Sequence, residues 1–441
     1  MNQLILSPTD ILMMRDARPM EGALAGHTQL WPTPDLITHA LRAALHRSGI
    51  NCHRHEYHPR GKERTHGDSE NRTSLYGSLL HAGPFPVRKD KEKTEWYFPC
   101  PLDVELGVAA PTGLPLPRAM QSGSTLPPPL RYCVASLCAP SKENRAPVWL
   151  SAAAWKQYTE ASAKGTVGSG QPPLKKRDGI THADVTDQEH HYGIARDDSS
   201  NTVKKGSFYS YTGLRFKPGW HMGCWVSSSE KTDERGRKDV LQELLTQDKH
   251  IVVGGQQRIC TAELSPVDNI PLPPLPELRA NTDGKFRIKW VLLTPAIWSR
   301  HGDHPGGWLP CWVHHTTGEV MLQGGDRSRL PNEPRHVWRA RLKEQHANIA
   351  ARLVAAVVGK PISVSGYACS GRSDAEEGPK TAHTAVPAGS VYYFECDSAE
   401  AAQNLCLALH CTATPTLNRR SELLGEQGFG LGLCTAWRFA Q

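Results

Sequence analysis

Nowhere in the 441 residues is there an apolar run approaching the roughly 20 residues that a membrane helix needs. That excludes a protein that crosses a bilayer by apolar helices, and no membrane partner is expected. The first residues, Met1 to Asp10, lack the basic start and long apolar stretch of a secretory signal. Twelve cysteines therefore stand in a chain without an export signal, so a reducing cytoplasm is the expected setting. Most should be free thiols, several of them buried as small hydrophobes. A strong charge of one sign is also missing: 51 Lys and Arg against 44 Asp and Glu leave only +7. One local groove for a polyanion would account for that surplus, but many proteins that bind no nucleic acid carry as much.

Equally absent is a compact catalytic set. His301, Asp303 and His304 lie close together, but in a Gly/Pro-rich loop that matches no hydrolase motif. His27 is the best isolated candidate for a general acid or base, with a plain loop histidine as the other reading. Cys52, His53, His55, His58 and His66 crowd one stretch, yet their spacing fits no zinc pattern, so no metal is expected. Glu426 to Gly432 places glycines at 428, 430 and 432, but no βαβ unit follows, which rules out a dinucleotide fingerprint.

What the chain does have is alternating strand and helix patterns separated by loop-rich segments. Gln3 to Met14 reads as a buried strand that bends at Pro8 and continues. A helix follows, with Thr33 at the N-cap, Pro34 at the first position and apolar residues at Leu36, Ile37, Ala40, Leu41, Ala44 and Leu45. Segments near 52–72, 110–130 and 164–190 are polar, Pro/Gly-rich or charged, and read as insertions on a folded frame. Strands are expected through Ser207 to Val226 and at Ile251 to Val253. Pro271, Pro273, Pro274 and Pro276 mark a linker over 271–284. Beyond it, Phe286 to Leu292 alternates apolar residues with Arg287 and Lys289 as a half-buried strand. Arg341 to Val358 reads as a helix and Ser390 to Cys396 as a strand. Asp397 with Glu400 forms a capping box ahead of a helix through Leu409, and Phe429 to Phe439 reads as a closing strand. The expected fold class is α+β, with one unit over 1–270 and a second over 285–441.

Three basic features suit phosphate or RNA. Arg15 and Arg18 flank Asp16 in a loop before a helix N-terminus, where two guanidinium groups can grip phosphates or merely pair with the aspartate. Lys204 and Lys205 precede Phe208, Tyr209 and Tyr211, with Arg215 and Lys217 beyond; such interleaving suits single-stranded RNA or an ordinary solvated strand. Gly428 and Gly430 can offer backbone amides to a phosphate, with Phe429 stacking or packing beside them.

Taken in order, the motifs resemble the RAMP subunit of type III-B (Cmr) CRISPR effectors that binds the 5′ handle of the guide RNA. The stretch from Leu6 to Met20 is similar to that family's strand followed by an Arg-Asp-Gly-Arg-Pro-Phe loop, here Arg15 to Met20. The helix with Ala40, Leu41 and Arg42 follows at the family's place. Tyr97 to Asp103 resembles its aromatic-Pro-x-Pro-x-Asp segment, and Gly193 to Arg196, Phe208–Tyr209 and Leu214 to Phe216 its central stretch. Gly254 to Arg258 resembles its double-glycine turn. Leu293 to Ala296, Gly307 to Pro310, Ala385 to Tyr392 and Gly428 to Gly430 continue the pattern. Departures are Ala17 for glycine, Met20 for phenylalanine, and His39 where a small residue is common; the stretch 52–66 has no counterpart.

The resemblance implies two ferredoxin-like (RRM-type, RAMP) domains with long loop insertions, no cofactor and no active site. It implies binding to the crRNA 5′ handle, contacts with the large Cas subunit carrying a polymerase/cyclase-like palm and with the backbone RAMP subunit, and indirect contact with target RNA. The RNA-binding residues it suggests are Arg15, Arg18, Arg42, Lys204, Lys205, Arg215, Lys217, Arg258, Gly428, Phe429 and Gly430. The rival expectation is a RAMP endoribonuclease that processes crRNA precursors, with His27 as its acid or base.

Overall fold

The computed structural model describes residues 1–16, 25, 26, 28–48, 79–90, 93–104, 114, 115, 125–135, 146–164, 174–231, 237–267, 270–324, 334, 336, 337, 340, 347–368, 378–412 and 417–439. Arg18, His27 and the His-rich stretch at 52–66 lie outside them.

The chain opens with β1 (Asn2–Pro8), whose Leu4, Ile5 and Leu6 are buried, then α1 (Pro34–Arg47). Pro34 needs no amide partner at the first helical turn, and Asp35 faces the positive end of the dipole. Next come β2 (Leu79–Lys89), β3 (Thr94–Pro99), β4 (Trp149–Ser151) and α2 (Ala152–Lys164). A long hairpin of β5 (Thr186–Arg196) and β6 (Val203–Phe216) follows, then β7 (Trp220–Lys231), α3 (Val240–Gln247), β8 (His250–Val252) and β9 (Ile259–Pro266).

The first sheet runs β8-β9-β1-β7-β2-β3-β4 and ends on the short strand Gly179–Ile180. Within it, β1, α1, β2, β7, α3 and β9 follow one another as β-α-β-β-α-β, with strand order β9-β1-β7-β2. That is the ferredoxin-like arrangement. Everything from 90 to 219 is an excursion between its second and third strands.

The second sheet repeats the plan. Its strands are β10 (Phe286–Leu292), β11 (Ala351–Val357), β12 (Val391–Cys396) and, after α4 (Ala399–Leu409), β13 (Gly432–Ala436). The order β11-β12-β10-β13 is again that of a ferredoxin-like unit, with the segment 293–350 standing where its first helix would be. The expected α+β class holds for both halves.

The two sheets share a core. Ile5, Phe85, Phe98 and Trp225 of the first pack in one cluster with Val291, Tyr393, Leu433 and Trp437 of the second. Trp96 stacks on Trp225 at 4.4 Å between ring centroids, a contact worth about 1 kcal/mol beyond the area it buries.

Four local expectations need correction. Ala351–Val357 is a strand, not the end of a helix. A short run of small and β-branched residues has no decisive period, and the backbone of Phe394 and its neighbours on β12 supplied the partners. Ser398, not Asp397, caps α4, its Oγ accepting the Ala401 amide at 3.1 Å. Strand β10 is not half-buried, because Arg287 and Lys289 are enclosed as fully as the apolar residues between them. Part of the stretch 164–190 belongs to the frame: Gly179–Ile180 pairs with Trp149–Leu150, and Leu174, Ile180 and Val185 are buried.

Candidate nucleic-acid interface

The strongest cationic site lies where α1, β2 and the Gly-rich turn meet. The apolar face of α1 buries Ile37, Leu41 and Leu45 against the first sheet, which leaves Arg42 at the margin of the core, half-buried. One helical turn earlier, the Thr38 hydroxyl meets His81 Nε2 at 2.5 Å. His81 is wholly buried on β2, and the Gln427 backbone forms a further hydrogen bond with it. Burial pulls the His81 pKa down to about 3, and the guanidinium groups of Arg419 and Arg42 add to that shift. Both arginines therefore approach the same neutral imidazole from two parts of the chain. Arg419 is itself largely enclosed: burial lowers its pKa, Glu426 opposes that shift, and its Nη1 is buried without a hydrogen-bond partner.

The turn at 425–430 is fixed by the protein's own backbone. The Gly428 amide donates to Gly425 O at 3.1 Å and the Gly430 amide to Pro295 O at 2.8 Å. Thr294 Oγ1 donates to Gly428 O at 2.8 Å and accepts the Leu431 amide at 2.9 Å. These two glycine amides are thus spent internally instead of facing a phosphate. Glycine is required at 430 because φ is +78° and a Cβ would sit 2.1 Å from the Ser421 nitrogen. Phe429 is fully buried with Ile297, Val364 and Ala385, so of its two expected roles it packs and does not stack on a base.

Beside this turn opens a cavity of about 580 Å³ between the two halves. Trp31, Pro84, Trp149 and His182 line it from the first half, and Pro295 and Pro387 from the second. Trp31 and Trp149 meet edge to face at 5.1 Å, Trp149 and His182 at 4.6 Å, and Trp31 Nε1 donates to Pro84 O at 2.9 Å. Thr33 and Pro34 bring the N-terminus of α1 to its rim, and Asp16 and Gln29 supply polar groups. An aromatic-walled slot of this size suits a planar ring with a few polar edges.

The other sequence-derived residues scatter. Arg15 is exposed, bridged through its backbone to Thr28. Arg215 and Arg258 come together, but on carboxylates: both reach Asp10, at 3.1 and 3.0 Å, and Arg215 also pairs with Glu189. Their charge is largely answered within the protein, which weakens the expectation that they line an RNA path. Lys217 donates to Ala183 O at 2.5 Å and lies 3.4 Å from Asp187. Lys204 is exposed on β6, and Lys205 occupies the next strand position, its side chain outside the described parts. The β5–β6 hairpin that carries them exposes Tyr192 and Phe208, 70% and 57% open to solvent and stacked at 5.8 Å. His301 and His304 do not form a catalytic pair. His301 contacts Glu422, while the His304 ring bonds to Val313 O at 3.1 Å and the Gly306 amide at 3.0 Å.

Sequence reasoning missed Arg419 and His81. The Arg419–Arg420 pair just ahead of the Gly-rich turn was the available signal for the first. A histidine inside an apolar strand gave none for the second.

Fold and cleft together define a protein of two ferredoxin-like sheets with a cationic, aromatic-walled cleft between them. A family model described as CRISPR-associated protein (Cas_Cmr3) matches residues 4–437, and the chain belongs to that family of type III-B CRISPR effector subunits. Among solved structures it is similar to a chain of the type III-B Cmr-beta complex bound to cognate target RNA and AMPPnP. Identity there is 15% over 89% of this chain and 86% of that one, with a TM-score of 0.40. The same complex with cognate target RNA gives 13%, 89%, 86% and 0.39. A chain of a type III-A Csm3-Csm4 subcomplex gives 10%, 89%, 92% and 0.35. No curated protein matches the chain significantly.

Proposed function

We propose that this chain is the non-catalytic subunit that grips and caps the repeat-derived 5′ handle of the crRNA in a cytoplasmic effector. In the assembled complex it joins the large palm-bearing subunit to the first backbone RAMP subunit. The carrying observation is the convergence of Arg42 and Arg419 on neutral His81, next to an aromatic-walled slot. The two guanidinium groups would take a backbone phosphate, with planar forks that suit its oxygens. The slot would take an unstacked base, because single-stranded RNA is recognised by splaying bases onto aromatic and apolar walls. Arg15 and Arg18, in the loop leading to α1, would extend the phosphate path, and Lys204 and Lys205 would meet RNA beyond the handle.

Crosslinking of guide RNA within the assembled complex tests this reading. Adducts at Trp31, Arg42 or Arg419 that depend on the handle nucleotides are expected; adducts confined to spacer nucleotides would sink it. The endoribonuclease alternative rests on His27, outside the described residues. Metal-independent cleavage of repeat RNA, lost in His27→Ala, would replace the scaffold reading with that one.

A further inference from the structure

We propose that His81 is the positioning residue of the phosphate grip: its imidazole, wedged between α1 and the Gly-rich turn, holds Arg42 and Arg419 in convergence on one phosphate. The inference rests on the handle-binding reading and gives that site its internal geometry.

Three elements close on this one ring. From α1, Thr38 meets Nε2 at 2.5 Å, and the same hydroxyl lies 3.4 Å from Gln427 O. From the turn, the Gln427 backbone bonds to the ring. A Cβ at residue 428 would come within 2.5 Å of the ring's Cε1, so the turn fits because Gly428, at φ +89°, has none. Thr294 then fixes the far side of the turn through Gly428 O and the Leu431 amide. Arg42 rides on α1, one turn past Thr38. Arg419 is tied to the turn through its neighbour, the Arg420 amide donating to Gly430 O at 2.8 Å. The distance between the two guanidinium groups is thus set through His81.

The chemistry of the ring explains why histidine suits the place. Two like charges near each other in a partly desolvated cleft repel, and a third would worsen it. A buried neutral imidazole supplies a donor and an acceptor without adding charge. Glu426 is the carboxylate that faces Arg419. A ligand phosphate, with its negative oxygens, would complete the neutralisation.

The test uses the full-length chain with two probes: a guide RNA carrying the repeat-derived 5′ segment, and the same RNA without it. His81→Leu keeps roughly the volume and removes both hydrogen-bonding nitrogens. It should weaken binding of the handle-bearing RNA about tenfold and flatten the slope of log affinity against log salt by about one, leaving the handle-less RNA unaffected. His81→Gln, which restores a donor and an acceptor, should recover most of that loss. Equal weakening of both RNAs at an unchanged salt slope, with a lower melting temperature, would mean a structural role only and overturn the proposal. So would a His81→Leu protein that binds like the parent, or a His81→Gln protein as impaired as His81→Leu. The charge-reversed pair Arg42→Glu/Arg419→Glu separates the two levels. If it keeps full handle affinity, the handle-binding reading itself fails; if it loses affinity while His81→Leu does not, only the positioning role fails.

Discussion

Lys289 and Asp103 form a salt bridge of 2.8 Å with both side chains wholly shut off from solvent, joining positions 186 residues apart. The lysine stands on β10 of the second sheet, and the aspartate follows β3 of the first. Tyr158 and Tyr393 each donate to Asp103 at 2.7 Å, and the Lys289 ammonium lies 4.4 Å from the centre of the Tyr158 ring. Burial pushes both tyrosines upward and pulls Lys289 below the ordinary lysine range, while Asp103 works to keep the lysine charged. Such a pair is tolerated only because its hydrogen-bonding groups are so fully answered.

Removing one partner strands the other. Lys289→Met should lower unfolding stability by about 3–5 kcal/mol, and Asp103→Leu by a similar amount. The double variant should be far less damaging than the sum, because it leaves no uncompensated charge. Urea denaturation of the four proteins checks this; simple additivity would contradict the coupling.

Acid should destabilise the fold through two buried histidines. Burial pulls His81 down to about 3 and His410 to about 4, whereas an unfolded histidine titrates near 6.5. Above about pH 6.5 both states are neutral and nothing is lost. As pH falls below that, the unfolded chain takes up protons that the folded one refuses, so stability drops until the folded values are reached. The slope per histidine is about 1.4 kcal/mol per pH unit. His81→Gln should remove about one histidine's share of the slope between pH 6 and 4, measured by denaturation at fixed ionic strength.

Much of this frame was readable in the sequence, and the rest was hidden for identifiable reasons. The apolar periodicity of Leu36 to Leu45 and the Pro34 start defined α1, and the proline cluster from Pro271 falls between the two sheets. Lys289 read as a solvated position because alternation cannot reveal that the far face of β10 would be covered by α2. The family-like segment ending at Asp103 pointed to the right residue, but its partners come from three distant places in the chain. The same distance hid the phosphate grip: Arg42, His81 and Arg419 meet only through the packing of α1 against the Gly-rich turn. The glycines of that turn looked like anion binders, and their amides instead hold the turn shut.

The arginines divide into two kinds, and their variants should behave differently. Arg215 and Arg258 share Asp10, and Arg215 also holds Glu189. Arg215→Ala should therefore change affinity for guide RNA by less than about twofold, since its charge is already compensated. Arg42→Ala and Arg419→Ala should each weaken binding about tenfold, the scale of losing one charge-assisted phosphate contact. Filter binding of the three variants at one salt concentration decides it, and a larger loss for Arg215→Ala than for Arg419→Ala would invert the assignment.

The exposed stack of Tyr192 on Phe208 predicts a contribution of another kind. Two large rings open to solvent on a hairpin gain little for folding, so Tyr192→Ser/Phe208→Ser should leave the melting temperature essentially unchanged. If the rings serve as a platform for bases, the double variant should lose about 1–3 kcal/mol of RNA-binding energy per stacked base. That loss should be nearly constant from low to high salt, because stacking releases no counterions, whereas the loss from Arg42→Ala should shrink as salt rises. Binding curves for both variants over a salt series separate the two mechanisms. A Tyr192/Phe208 loss that fades with salt like that of Arg42→Ala would show that the hairpin acts through its neighbouring charges and not through its rings.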